Sequence, residues 1–199
     1  MTLLTILAAT SEPVTLADLK AQLRLDDTAD ASQLARLEQM LSDAIAHIER
    51  EAGVTLAPTD FEERFDGWPC GRRIVLQAQP ARAVDAVVYV DPDGDEQTLD
   101  ADQWRFVEVG CGGELCLAAG FSAPALADWP GSVRIRYAAG FNDPAATGSD
   151  ASARLALPRY ARQALIRLAA TWFVSRADDD QPALPLSVER AIALLQVFR

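Results

Sequence analysis

Hydrophobic residues in this chain change their spacing twice. Between residues 15 and 52 they recur at three- and four-residue intervals; from about 59 to 140 they fall into short separated runs; from 158 onward helical spacing returns. Side chains repeat every 3.6 residues around a helix and every second residue along a strand, so a segment patterned for one period cannot bury its apolar face in the other. The chain therefore reads as α+β: a small helical bundle drawn from both ends of the sequence, a β-rich insertion built as a meander or small sandwich, and a C-terminal extension. Residues 1–58 are assigned to the N-terminal helices, 59–142 to the insertion, 143–177 to a loop and third bundle helix, and 178–199 to a linker and last helix.

The local signals are specific. Thr15 and Asp18 have capping-box spacing and Leu16, Leu19 and Leu23 follow on one face, which predicts a helix over 15–25 ending near Asp26 and Asp27. A longer helix is predicted from Asp30 to Ala52, with Leu34, Leu37, Leu41, Ala44, Ile45 and Ile48 on one face and Gly53 as its stop. Strands are predicted at Ile74–Leu76, Val84–Val90, Gln103–Val109, Glu114–Ala118 and Val133–Tyr137. In the last of these Val133, Ile135 and Tyr137 alternate with Arg134 and Arg136, as in a sheet with one buried and one solvated face. Gly140 and residues 142–152 read as a loop.

Pro158 suits a first helical turn, and Ala161, Ala164, Leu165, Leu168 and Trp172 share one side of a helix over 158–177. The stretch 177–185, with three aspartates and two prolines, is a stiffened polar linker. Ser187 is the expected cap of a final helix whose Val188, Ile192, Leu195 and Phe198 form an apolar stripe. A segment so near a chain end frays in water, so this stripe is expected to need a partner.

With 199 residues, half of them hydrophobic, the chain can bury one sizeable core. Its 29 acidic and 18 basic residues leave a formal charge of −11, which disfavours a tightly held polyanion. The opening MTLLTILAATSEP lacks the leading positive charges of a secretory signal, and no stretch is long enough to span a bilayer, so a soluble cytosolic product without membrane contact is expected. An odd number of cysteines, Cys70, Cys111 and Cys116, favours reduced and mostly buried thiols.

Constellations that could carry chemistry are weak. The only histidine, His47, stands at the border of the second helix, which argues against a histidine-based triad. Cys111 and Cys116 enclose a glycine turn but have no second pair of ligands to complete a zinc site. Asp91, Asp93 and Asp95 surround Gly94 in a pattern that fails the EF-hand order and is explained by a hairpin turn. No phosphate-cradling glycine motif occurs, and no cofactor or metal is expected. Trp68, Trp104, Trp129 and Trp172 are scattered, which leaves a monomeric carbohydrate- or protein-binding β-domain, or an enzyme of unknown class, as alternatives. Arg159, Arg162 and Arg167, with Arg154 before them, form a local basic patch opposite the apolar face of the third helix. It is either solvated or set against an acidic surface of a neighbouring copy.

The ordered series PVTLADLKAQLRLD, HIEREAG, VRIRYAAGF and LPRYARQALIRLAATWFVSR resembles the head–tail connector (adaptor) proteins of long-tailed phages and of phage-derived gene transfer agents. The similarity spans most of 13–177 and is carried by Leu16, Leu19, Leu23, Leu25, Ile48 to Glu51, Tyr137 to Phe141, Pro158, Ala164 and Trp172, which are packing and turn residues. It implies a non-enzymatic subunit of a dodecameric ring below the portal protein, extending a channel through which DNA passes without being bound specifically, and offering a platform to a tail-side connector or tail terminator. It further implies assembly in a bacterial cytoplasm and a final place in the neck of the particle. In that picture Val188, Ile192, Leu195 and Phe198 are the expected portal-docking anchors, and Arg159, Arg162 and Arg167 the expected subunit contacts.

Overall fold

A computed structural model describes residues 3–9, 13–25, 30–110, 112–141, 156–175 and 184–198. The elements run in the order β1 (Leu3–Ala9), α1 (Leu16–Leu23), α2 (Ala31–Ala52), β2 (Thr59–Phe65), β3 (Arg73–Val75), β4 (Ala81–Val90), β5 (Glu96–Thr98), β6 (Trp104–Val109), β7 (Gly112–Leu117), β8 (Val133–Ala139), α3 (Arg159–Val174) and α4 (Leu186–Leu195), with a closing 3-10 turn, Gln196–Phe198. Four helices pack together and two antiparallel sheets form a sandwich, which is the α+β architecture that the periodicity predicted.

The helices form where their end signals place them. Thr15 caps α1 in a full capping box: its hydroxyl accepts from the Asp18 backbone N–H while the Asp18 carboxylate receives the Thr15 N–H at 3.2 Å. Gly53 closes α2 at φ 69°, a left-handed backbone that costs glycine nothing. Pro158 occupies the N-cap of α3. Ser187 does not cap α4; Pro185 does, and Ser187 lies in the first turn. The apolar faces of all four helices meet in one core that includes Leu19, Leu37, Ile48, Leu165, Leu168, Val188 and Leu195.

The larger sheet has the order β1-β2-β8-β4-β5 and the smaller the order β3-β7-β6. In the larger sheet β8 lies between β2 and β4, neither of which is next to it in sequence, so the insertion is a sandwich and not a meander. Three strands escaped the sequence reading: β1, β2 and β5. Residues 3–9, assigned above to the helical segment, instead pair with β2. On β8 the alternation holds: Val133, Ile135 and Tyr137 are all buried, and Ile135 and Tyr137 belong to a cluster with Phe61, Ile74, Val87, Leu115 and Leu117 between the sheets.

Residues 54–58 and 140–141 join the two cores. Thr55 N–H donates to Gln79 O, Phe141 N–H to Leu56 O, and Gly140 N–H to Pro80 O. Gly140 is required here, because its φ is +98° and a Cβ would stand 2.0 Å from the Ala57 carbonyl oxygen. The Glu49 carboxylate at the end of α2 receives the Leu56 N–H at 2.7 Å. Burial of Glu49 raises its pKa despite that bond.

Candidate assembly surfaces

The stripe on α4 already has a partner within the chain. Val188 and Leu195 are fully buried in the helical core, Ile192 and Phe198 are half-buried against it, and the Phe198 ring meets Phe141 edge-on at 5.1 Å. Gln196 Nε2 donates to the Glu51 carbonyl at 3.2 Å, tying the closing turn to α2. This corrects the expectation of an unpartnered arm: the apolar side of α4 lies on α2 and α3, and Leu186 and Leu194 on α4 and Val197 in the closing turn are the exposed large apolar residues there. Burial of a large aliphatic side chain contributes about 1.5–3 kcal/mol, enough in sum to hold so short a helix in place.

The basic patch is likewise divided. Arg162 Nη2 lies 2.7 Å from Asp18 Oδ2, so its charge is engaged between α3 and α1. Partial burial alone would raise the Asp18 carboxyl, but hydrogen bonds from Arg162 and Thr15 outweigh it and hold the group below the ordinary aspartate range. Arg159 and Arg167 are exposed and make no ion pair among the described residues. Arg154, the Asp26–Asp27 pair, Cys111, the loop 142–152 and linker residues 177–183 lie outside the described residues.

Two adjacent glutamates of β2 are buried on opposite faces of the larger sheet, Glu62 on the outer face at 4% exposure and Glu63 on the sandwich side at 1%. Glu62 is clamped by Arg136 at 2.9 Å and Arg64 at 2.8 Å. Partial burial opposes ionisation there, but the two guanidiniums outweigh it and lower the pKa. Glu63 accepts from the Gln77 N–H at 3.1 Å and the Tyr137 hydroxyl at 3.2 Å, yet burial dominates and raises its pKa. Burial also raises the Tyr137 phenol. This carboxyl–phenol pair resembles acid–base machinery in composition only. Both side chains are sealed in the core, where no substrate reaches them.

The remaining sequence candidates settle as structural parts. Asp91 Oδ1 accepts the N–H groups of Asp93 and Asp95 at 3.0 Å each, and Oδ2 receives Gln97 Nε2 at 3.0 Å, so this carboxylate is spent on the β4–β5 hairpin. His47 sits edge-on to Trp172 at 5.7 Å, between α2 and α3. Cys116 is half-buried and Cys70 is exposed, which corrects the expectation of mostly buried thiols. Trp68 donates to the Pro124 carbonyl and packs on Phe121 and Tyr89, while Trp129 is exposed elsewhere.

Sequence reasoning missed two exposed apolar surfaces. On β1, Leu3, Ile6 and Leu7 are 57%, 66% and 52% exposed. On the outer side of the smaller sheet, Val75, Val107 and Val109 are 65%, 36% and 46% exposed. The run LLTILAA was the available signal for the first, an apolar segment with no charge to keep it in water.

No protein-family model matches this sequence, and no curated protein is detectably similar to it. Among solved structures, the chain is 27% identical to a chain of the "Virion of native gene transfer agent (GTA) particle", with a TM-score of 0.75 over 98% of this chain and 96% of that one. It is also 27% identical to a chain of the "Neck of empty GTA particle computed with C6 symmetry", with a TM-score of 0.73 over 99% and 96% of the two chains. A third match, 28% identical with a TM-score of 0.66 over 98% and 96%, is to a chain of the "Neck of native GTA particle computed with C12 symmetry". The chain thus resembles, over nearly its whole length, a structural component of gene transfer agent necks.

Proposed function

We propose that this chain is a head–tail connector (adaptor) subunit, forming a dodecameric ring below the portal protein that extends the DNA channel and joins the capsid to a tail-side connector or tail terminator. The observation that carries this reading is the near-complete coverage of neck chains, helical bundle and β-sandwich together. A match confined to the helices would support the fold alone. The role is structural and not enzymatic, in keeping with a carboxyl–phenol pair shut inside the core. The formal charge of −11 suits a channel wall that repels phosphates, so that DNA slides past without being held.

Within this proposal the C-terminal helix faces the portal through Leu186, Leu194 and Val197, while Val188, Ile192, Leu195 and Phe198 hold it on the bundle. Arg159 and Arg167 contact an acidic surface of a neighbouring copy, and Arg162 stays with Asp18. Removal of the gene from a particle-producing cell tests the reading. Filled heads without tails, alongside free tails, are the expected products, restored to whole particles by the intact gene. Normal tailed particles in its absence would overturn it.

A further inference from the structure

The third helix is an exception in an acidic chain. The 16 residues of α3 include three arginines and no acidic side chain. Arg162 is engaged by Asp18, but Arg159 and Arg167 are exposed and have no ion-pair partner among the described residues. With the exposed Gln163 between them they stand at four-residue intervals on one side of the helix. At 1.5 Å of rise per residue the two arginines are anchored about 12 Å apart along its axis. The apolar side of the helix is turned inward, with Ala161, Ala164, Leu165 and Leu168 buried in the bundle.

The opposite charge is concentrated at the far end of the sandwich. Strand β4 starts at Ala81, beside the joint where Gly140 N–H donates to Pro80 O, and runs ten residues away from it. At about 3.3 Å per residue its other end lies roughly 30 Å from that joint. There the chain turns through residues 91–95. The Asp91 carboxylate accepts from the Asp93 and Asp95 N–H groups and from Gln97 Nε2, so the tip is held in shape by its own hydrogen bonds. The Asp93 and Asp95 carboxylates are left exposed, with no partner among the described residues. Trp129 lies against this tip: a Cβ at Gly94 would stand 3.9 Å from its ring, and the residue is 56% exposed. The exposed Asp128 precedes it. An indole face beside carboxylates suits arginine, whose guanidinium stacks on the ring while it pairs with the acids. A tip that is already ordered also loses little entropy on docking.

A closed ring of identical copies needs two different, complementary patches on each copy, one for either neighbour. The basic side of α3 and the acidic tip meet that requirement: one lies on the bundle, the other at the end of the sandwich away from it, and their charges are opposite. Either patch set against its own counterpart would bring like charges together, so the contact joins unlike ends. We propose that α3 of one copy docks on the sandwich tip of the next, with Arg159 and Arg167 against Asp93, Asp95 and Asp128 and a guanidinium stacked on Trp129. This rests on the ring reading above and names the acidic surface that the arginines meet.

Charge exchange tests the contact. Particle-producing cells receive the gene as Arg159→Glu with Arg167→Glu, as Asp93→Arg with Asp95→Arg, or with all four changes, and tailed particles are counted by electron microscopy. Each pair alone sets like charges face to face and is expected to lower the yield at least about tenfold. The four changes together restore the opposite pairing and are expected to return the yield to within about threefold of the parent. All four positions are exposed, so the purified variants are expected to unfold at the parent temperature. Pair variants that assemble as the parent does overturn the proposal, and so does a folded quadruple variant as defective as either pair. Should a pair variant fail to fold, the neutral forms Arg159→Gln with Arg167→Gln and Asp93→Asn with Asp95→Asn replace it. Groups that meet lose the contact once, so combining these forms is expected to add little to either loss; fully additive losses overturn the contact. If the chain is present in wild-type particles and exchange does not rescue, only this contact is lost. If the chain is absent from wild-type particles, the ring reading fails with it.

Discussion

Replacement of Leu195 by alanine separates a docked last helix from a loose arm. Leu195 is fully buried, on a helix that packs against α3 and α2. Truncation removes the transfer free energy of the lost atoms and leaves a cavity that the surrounding helices fill only in part, for a cost of about 2–5 kcal/mol. In a chain of this size each kcal/mol moves the midpoint by roughly 2–4 °C, so the expected drop is about 4–20 °C. Leu194, its neighbour in sequence, is exposed, and Leu194→Ala is expected to stay within about 0.5 kcal/mol of the parent. Urea denaturation followed by helical ellipticity and by the fluorescence of Trp172, which packs against the same core, reads both variants. Equal and negligible effects from the two substitutions would refute the packing argument and return α4 to the status of an arm. The same reasoning makes deletion of residues 181–199 a poor test of portal docking, because it removes three buried side chains, Val188, Ala191 and Leu195, from the core.

Three further outcomes follow from the electrostatics. Asp18→Ala removes both the capping box of α1 and the partner of Arg162, and is expected to cost about 1–2 kcal/mol in urea titrations at neutral pH. Since the Asp18 pKa is lowered on folding, this contribution is present above its unfolded value, near 3.8, and fades as pH falls through the folded value. The difference between parent and variant should therefore shrink in acid. Glu63 has the opposite sign: its raised pKa means that the folded chain holds a proton more tightly than the unfolded one, so stability is lost as pH rises above about 4.5. Glu63→Gln keeps an acceptor for Gln77 and Tyr137 while removing the charge. It is expected to be more stable than the parent at pH 7, with the gain vanishing near the ordinary glutamate value; a less stable variant at pH 7 would contradict the assigned cause. Finally, the purified chain should show little retention on duplex DNA even at low salt, where phosphate contacts are strongest, and tight binding there would contradict the channel-wall reading.

The elements that were legible in the sequence are those whose local signals agree. Thr15 with Asp18, the leucine series of α2 ending on Gly53, and the Val133–Ile135–Tyr137 alternation each combine a period with an end signal, and each stands where expected. Strand β2 was hidden because TDFEERF places two glutamates in the strand, and both are buried. Arg64 and Arg136 pair with one of them and the Tyr137 hydroxyl donates to the other, and Arg136 and Tyr137 lie more than 70 positions away in the chain. Strand β1 was hidden because an apolar run of that length fits a strand or a buried helix segment until its partner is known.

The stripe of α4 was visible but its destination was not, since amphipathicity shows that a face is covered without showing by what. Likewise the basic patch could be counted in the sequence, whereas the engagement of Arg162 depends on Asp18, 144 positions away. That β1 is an edge strand is legible only in the strand order.

Electron cryomicroscopy of intact particles tests the central claim most directly. A ring built from copies of this chain, lying between portal and tail with the helical bundle and sandwich fitting the density, is the predicted result. Density at that position that only another chain explains, with this one elsewhere or absent from the particle, would contradict it.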